Sequence, residues 1–238
     1  MRRSDARVLV VGMGGLGCPA ALVLARAGIG TIGMSDDDVV DASNLHRQIL
    51  FAESDVGKHK LDVAPGALAE LAPGVRVVVH RTRILPENAV ELVSGYDVVV
   101  EGSDNFATKF LVADACAIAG VAVVHGAAVR WHGTAFAVSA RARPCYRCLF
   151  EDIPHEHVQN CAEAGVMGPA VGVVAAFQAD FALQIVDGRD VSGELISFDG
   201  QTAGVRRHSV RARDTCALCG NVKSISTIDR SRYVSVDS

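Results

Sequence analysis

A glycine-rich stretch near the N-terminus is followed by an acidic residue at a spacing that suits a nucleotide. Gly12, Gly14 and Gly17 form a GxGxxG pattern with Gly15 as a fourth glycine, and Asp36 stands 19 residues after Gly17. Backbone N–H groups can approach a phosphate closely where no Cβ intervenes, and a carboxylate at this distance can accept a hydrogen bond from a ribose hydroxyl. The pattern fits NAD and ATP equally well.

Polar residues further along distinguish the two nucleotides. Asn44, Arg47 and Gln48 lie within one or two helical turns of each other, and Lys60 opens the next helical segment. A triphosphate that is to be cleaved needs more cations than a dinucleotide, together with a metal-binding acid. Arg47 and Lys60 can supply the cations and Asp104 the acid, although a helix N-cap is the alternative role for Asp104. Together these residues predict ATP and Mg²⁺.

The elements that must position these residues alternate between strand and helix. Apolar runs predict strands over 6–12, 31–36, 75–80, 96–102 and 121–127, and helical patterns lie around 16–27, 58–72, 86–93 and 105–119. Continuously apolar strands separated by helices indicate a parallel sheet covered on both faces, with ligands at its carboxyl edge. Residues 131–140 alternate as an antiparallel strand does, and a long apolar helix and a strand over 194–199 follow. The fold class is α/β, a Rossmann-like, mostly parallel sheet extended by antiparallel strands.

Composition and charge exclude several classes of function. The formal charge is −4 and half of the residues are hydrophobic, so nothing drives the chain toward nucleic acid or an anionic membrane. The apolar N-terminus imitates a signal peptide, but its glycines interrupt the apolar run. The long apolar segment contains Gln178, Asp180 and Gln184, which are costly in lipid. We therefore expect a cytoplasmic protein with no membrane partner and a loose tail over 224–238.

Six motifs occur in an order typical of one family. The motifs "GMGGLG", "SNLHRQ", "GSDN", "CYRCLF", "CAEAGVMGP" and "CALCG" resemble those of the HesA/MoeB/ThiF family, bacterial relatives of ubiquitin-activating enzymes. The resemblance implies an adenylyltransferase that uses ATP and Mg²⁺ to adenylate the C-terminal glycine of a small ubiquitin-like sulfur-carrier protein, in molybdopterin, thiamine or cysteine-type biosynthesis. It also implies a homodimer. The family domain would span residues 1–220, followed by a tail over 221–238.

The resemblance gives each matching residue a role. Gly15 would lie against the nucleotide, Asp36 would hold the ribose, and Asp104 would bind Mg²⁺. The remaining polar residues would contact phosphates, the acyl-adenylate or the nucleotide pocket: Asn44, Arg47, Gln48, Lys60 and Asn105. Arg47, Lys60 and Asp104 are the catalytic candidates. A carboxylate is already a nucleophile, so no general base is required.

Two CxxC pairs resemble the structural zinc site of the family. The ligands would be Cys145, Cys148, Cys216 and Cys219, since four thiolates suit tetrahedral Zn²⁺; a redox pair is the alternative. Cys161 aligns with a segment that takes part in covalent transfer in some relatives, with a packing role as the alternative.

Two features depart from the family pattern. An arginine that relatives supply from an N-terminal helix to the ATP site of the partner subunit would come here from Arg2 or Arg3. The sequence contains no sulfurtransferase pattern, so we expect a separate sulfur donor protein.

Other functions remain open on the sequence alone. An NAD-dependent oxidoreductase is one alternative, although it would leave "SNLHRQ" without a task. A tRNA-modifying adenylating relative is another, because arginine-rich stretches flank both cysteine pairs; those stretches could also be a solvated surface or a docking surface for an acidic carrier. A non-catalytic scaffold would not need Asp36, Arg47, Lys60 and Asp104.

Overall fold

An eight-stranded mixed sheet forms the centre of the molecule in a computed structural model, which describes residues 1–154 and 164–233. The strand order is β3-β2-β1-β4-β5-β6-β7-β8. Strands β1 to β5 are parallel, and β6, β7 and β8 continue the sheet antiparallel. The strands are β1 Arg7–Val11, β2 Thr31–Ser35, β3 Arg76–His80, β4 Val98–Glu101, β5 Ala122–Val129, β6 His132–Val138, β7 Glu194–Asp199 and β8 Gly204–Ser209.

Helices cover both faces of the sheet, as strands that are apolar on both sides require. The helices are α1 Gly17–Arg26, α2 Lys60–Leu71, α3 Ala89–Ser94, α4 Phe106–Ala119, α5 Tyr146–Leu149 and α6 Gly168–Val186. One hydrophobic core joins α1, α2 and α6 to the sheet, and a second core joins α3, α4 and the cysteine-containing segments to the other face. The predicted fold class is therefore confirmed.

Helix α6 is the one described helix that is long and apolar enough to cross a membrane by length and composition. It packs against β4, β5, β6 and α1. Gln178 at its centre is buried, and its Nε2 donates to the carbonyl oxygens of Glu101 and Val124 at 2.8 and 3.2 Å. The polar residue that disfavours lipid therefore fastens the helix to the sheet.

Residues 204–209 form strand β8, which the sequence did not indicate. All but one of its residues are exposed, which agrees with the solvated surface expected for its arginines. The expectation of a loose tail over 224–238 was wrong for residues 224–233, the part of it that the structure describes. Ile225 is buried, and the Tyr233 hydroxyl donates to Asp114 at 2.8 Å, because α4 and the cysteine segments leave an apolar surface that this segment covers.

The strand order reverses between β1 and β4, which lie side by side although their crossovers run in opposite directions. The loops that follow these two strands separate at that point and leave a crevice at the carboxyl edge of the sheet. The glycine loop follows β1 and the segment with Asp104 follows β4. The fold thus brings the two predicted halves of a nucleotide site together.

Candidate functional site

A cavity of about 570 Å³ lies at this crevice. Ten of the eleven predicted nucleotide-site residues line it: Gly12, Gly14, Gly15, Asp36, Asn44, Arg47, Gln48, Lys60, Asp104 and Asn105. The eleventh, Gly17, does not. A Cβ on Gly17 would collide with the carbonyl oxygen of Gly12, so this glycine allows α1 to start close against the loop rather than to contact a ligand.

Two glycines of the loop meet separate steric requirements. Gly12 has a φ of +86°, which a residue with a side chain rarely adopts. A Cβ on Gly15 would lie 3.0 Å from Val171 Cγ1 and 3.1 Å from Cγ and Cδ of Arg47. Gly15 therefore leaves the room through which the Arg47 side chain passes.

Asp36 holds the glycine loop as well as facing the cavity. Its Oδ2 accepts the backbone N–H of Met13 at 2.6 Å, and its Oδ1 accepts the N–H of Asp38 at 2.8 Å. A carboxylate has about four acceptor positions, so a ribose hydroxyl can still donate to it. The sequence did not indicate this bond to the loop.

Lys60 is a buried cation at the first turn of α2. Its Nζ lies 2.8 Å from Asp38 Oδ2 and 3.5 Å from Asp36 Oδ2. Burial by itself lowers the pKa of Lys60, but the two carboxylates outweigh it and raise that pKa above its ordinary value. The side chain therefore stays charged in the cavity wall.

The segment after the short 3-10 turn Ala42–Asn44 supplies three polar groups. The N–H groups of Arg47 and Gln48 both donate to the carbonyl oxygen of Asn44 at 3.1 Å, which turns the chain so that all three residues face the cavity. Gln48 is 3% exposed, and its Oε1 has no hydrogen-bond partner among the described residues. An unpaired buried acceptor at a cavity wall is a place where a ligand can donate.

The loop after β4 separates the two roles that Asp104 could have. Asn105 is the N-cap of α4, and its Oδ1 accepts the N–H of Thr108 at 2.8 Å. Asp104 is therefore not the cap, and its exposed carboxylate faces the cavity. One carboxylate together with phosphate oxygens is a common way to hold Mg²⁺. The residues present fit that ion.

A buried polar cluster at the inner wall of the cavity was missed by the sequence analysis. Glu101 ends β4, Lys109 lies on α4 and His125 on β5, and all three are less than a tenth exposed. Lys109 Nζ donates to Glu101 Oε2 at 2.8 Å and to the carbonyl oxygen of Gly126 at 2.6 Å. His125 Nδ1 lies 3.3 Å from the same Glu101 oxygen. The sequence signal that could have indicated this cluster is a glutamate and a histidine within otherwise apolar strands.

The four cysteines of the CxxC pairs converge although 67 residues separate the pairs. The distance between the Sγ atoms is 3.9 Å for Cys145 and Cys148, 3.5 Å for Cys145 and Cys216, and 3.3 Å for Cys148 and Cys219. Four sulfurs about 2.3 Å from a tetrahedral Zn²⁺ would be separated by about 3.8 Å. The cluster therefore fits zinc.

A buried ion pair ties this cluster to helix α4. Arg147, between the first two cysteines, contacts the Asp114 carboxylate of α4 at 3.0 Å, and both side chains are nearly inaccessible. The Arg147 guanidinium also lies 4.8 Å from the centre of the Phe110 ring. The ion pair thus joins the cysteine cluster to the helix that follows Asp104.

Two predicted arginines lie away from the cavity of their own chain, and Cys161 lies outside the described residues. Arg3 is held by its own chain, with NH2 2.6 Å from Asp187 Oδ2, and Arg2 pairs with Asp5 at 2.9 Å. Both arginines precede β1 and so lie at the sheet edge opposite to the cavity.

Comparison with known proteins agrees with this geometry. The model of the ThiF family matches residues 2–220, and the chain belongs to this family. The protein "Adenylyltransferase and sulfurtransferase MOCS3" of Culex quinquefasciatus is 41% identical over 241 residues, covering 99% of this chain and 55% of that protein. The protein of the same name from Mus musculus is 41% identical and covers 96% of this chain and 50% of that protein. The chain spans about half the length of these relatives.

Solved structures share the fold. E. coli MccB in a crystal structure with ATP superposes with a TM-score of 0.81 at 22% identity, over 92% of this chain and 67% of that chain. PaaA superposes with a TM-score of 0.73 at 21% identity, over 87% of this chain and 65% of that chain. These likenesses concern the architecture alone.

Proposed function

We propose that this chain is an ATP-dependent adenylyltransferase that activates the C-terminal glycine of a small ubiquitin-like sulfur-carrier protein. The observation that carries the proposal is the meeting of Arg47, Lys60, Asp104 and Asp36 around one cavity, a set that a cleaved triphosphate requires and a dinucleotide does not. The names of the MOCS3 relatives support the same activity.

The proposed reaction joins the carrier to AMP. An oxygen of the terminal carboxylate attacks the α-phosphorus of ATP, the bond to the β-phosphate oxygen breaks, and pyrophosphate leaves with the electron pair. No proton has to be removed from the nucleophile. The residues therefore act by positioning and by charge: Asp36 on the ribose, and Arg47 and Lys60 on the phosphates. Asp104 would hold Mg²⁺, which when bound neutralises phosphate charge.

The wider setting of the reaction is also proposed. The acyl-adenylate would be converted to a thiocarboxylate with sulfur from a separate donor protein, in molybdopterin, thiamine or cysteine-type biosynthesis. A homodimer in the cytoplasm is the expected state, and sedimentation of the purified protein measures its oligomeric state. The family domain over 1–220 and a zinc ion held by the four cysteines belong to the same proposal.

ATP–pyrophosphate exchange tests the activity. Purified protein is incubated with ATP, Mg²⁺, labelled pyrophosphate and a panel of ubiquitin-like carriers that end in Gly-Gly. We expect label in ATP only when a carrier with a free terminal carboxylate is present. The control carrier carries a C-terminal amide and supports no exchange. The proposal would be overturned if none of the carriers supported exchange and the protein bound NADH or tRNA tightly.

A further inference from the structure

The cavity continues beyond the space that a nucleotide needs. Past Asp104 it extends between β5, the start of α4 and α5, where its walls include Phe106, Phe136 and Phe150. On the proposed function, the adenosine lies near Asp36 and the phosphates lie near Arg47 and Lys60. The remaining part of the cavity, here called the acceptor half, is then the space for the carrier tail.

Buried polar side chains stand among the apolar walls of the acceptor half. Lys109 and His125 both line the cavity there and both contact Oε2 of Glu101. Tyr146 lies beside His125 with a ring separation of 4.3 Å. The His125 ring is 3% exposed, and its Nε2 has no hydrogen-bond partner among the residues that the structure describes. Buried polar atoms normally have partners, so this nitrogen marks a place for a ligand group.

The charges around His125 determine which kind of group fits. Burial raises the pKa of Glu101, but Lys109 and His125 outweigh it and lower that pKa to about 2, so the carboxylate is ionised and only accepts. Burial and the Lys109 charge lower the pKa of His125. They outweigh the carboxylates of Glu101 and Asp114, which raise it. A neutral His125 therefore carries its proton on Nδ1, toward Glu101, and Nε2 is an acceptor. Nε2 requires a ligand that donates.

A peptide tail that ends in two glycines offers few donors. Its glycines have no side chains and its terminal carboxylate only accepts, so its donors are backbone N–H groups. We propose that His125 is a substrate-binding residue whose Nε2 accepts the N–H of the last peptide bond of the carrier tail. Lys109 and Glu101 are positioning residues that hold the ring and its tautomer. This assignment rests on the proposed adenylyltransferase activity and adds a determinant of its substrate.

A semisynthetic carrier tests this hydrogen bond directly. Replacement of the terminal glycine by glycolate converts the last amide to an ester, which removes the N–H and keeps the carboxylate. With the wild-type chain we expect kcat/KM for carrier in pyrophosphate exchange to fall about tenfold, while KM for ATP stays within about twofold. Equal kcat/KM for the two carriers would overturn the inference without any variant being made.

The variant His125→Phe completes a double-mutant cycle. With the amide carrier, kcat/KM of the variant should be about tenfold below that of the wild type. Changing the amide carrier to the ester carrier should then lower kcat/KM of the variant little further, because the same hydrogen bond is already removed. Equal ester penalties in the variant and the wild type would contradict the inference. His125→Gln keeps an acceptor and should retain part of the discrimination. His80→Phe changes a half-buried histidine outside the cavity and should retain all of it.

Failure of the inference and failure of the proposed function are distinguishable. If the wild-type chain exchanges pyrophosphate with the amide carrier but the cycle shows no coupling, only the role of His125 is wrong. If none of the carriers supports pyrophosphate exchange by the wild-type chain, the proposed function is wrong and the inference is wrong as well.

Discussion

Gly15 is the residue of the glycine loop with the least space for a side chain on the cavity side. In Gly15→Ala the new methyl group would press on Val171 and on the Arg47 side chain. We expect Arg47 to be displaced and carrier-dependent pyrophosphate exchange to fall about tenfold, with thermal stability nearly unchanged. Gly172→Ala is the matched control, because nothing lies within 4 Å of its added Cβ. Equal activity of both variants would contradict this role of Gly15.

Lys60 and Lys58 permit a comparison of a buried and an exposed cation two residues apart. Lys60 is 5% exposed and pairs with Asp36 and Asp38, whereas Lys58 is half-exposed and pairs with Asp55. Lys60→Met should lower kcat in pyrophosphate exchange by about a hundredfold, since it removes a charge from the phosphate site. Lys58→Met should change kcat by less than about twofold. A similar loss in both variants would show that the charge acts only at long range.

The residues of the site divide into those that motif spacing predicts and those that tertiary packing creates. Arg47 and Asp104 were predictable because each stands in a motif that follows a strand, and Lys60 was predictable because it opens the next helical segment. The hydrogen bond that Met13 donates to Asp36, the packing role of Gly17 and the position of His125 were not predictable. They depend on how α1, α4 and the strands approach one another, and single-sequence patterns do not contain that information.

At the scale of elements, the cysteine cluster should hold the antiparallel part of the molecule to α4. We expect one zinc ion per chain by elemental analysis. The double variant Cys145→Ser/Cys148→Ser should lose the ion and unfold at a clearly lower temperature. Arg147, which lies between these two cysteines, and Tyr233 both contact Asp114 of α4, so the loss of the ion should weaken both contacts. Cys18→Ala, away from the cluster, should keep the zinc. Full zinc content in the double variant would exclude this site.

The pair Glu101–Lys109 links β4 to α4 and should make stability depend on acid. The Glu101 pKa is lowered to about 2 from 4.5, so its contribution is present above about pH 4.5 and is lost as the pH falls toward 2. The free energy of unfolding, measured with urea, should decline over this window. The decline should be shallower in the double variant Glu101→Gln/Lys109→Met, which removes the titration and leaves no unpaired charge. Identical slopes would contradict the assignment.

Element by element, the sequence analysis was accurate where hydrophobic periodicity was strong. The parallel strands and the helices over Gly17–Arg26, Lys60–Leu71 and Phe106–Ala119 lie within a few residues of their expected positions. Strand β8 was missed because it is a doubly exposed edge whose arginines conceal the alternation. The packing of residues 224–233 was missed because the surface that they cover exists only after α4 and the cysteine segments meet.

At the scale of the whole molecule, one crevice collects the functional groups. The reversal of strand order opens it, the glycine loop and α1 form one side, and the loop after β4 forms the other. The cavity continues past Lys109 and His125 toward α5, which carries Cys148. The proposed division is a nucleotide half around Asp36, Arg47 and Lys60 and an acceptor half around His125.

The most direct test of the central claim follows the oxygen atoms of the carrier. A carrier labelled with heavy oxygen in its terminal carboxylate is incubated with the chain, ATP and Mg²⁺, and the product is cleaved with hydroxylamine. If the carboxylate attacks the α-phosphorus, hydroxylamine attacks the acyl carbon, and the released AMP carries one labelled oxygen in its phosphate. Unlabelled AMP, or release of ADP in place of AMP and pyrophosphate, would contradict adenylation at this cavity.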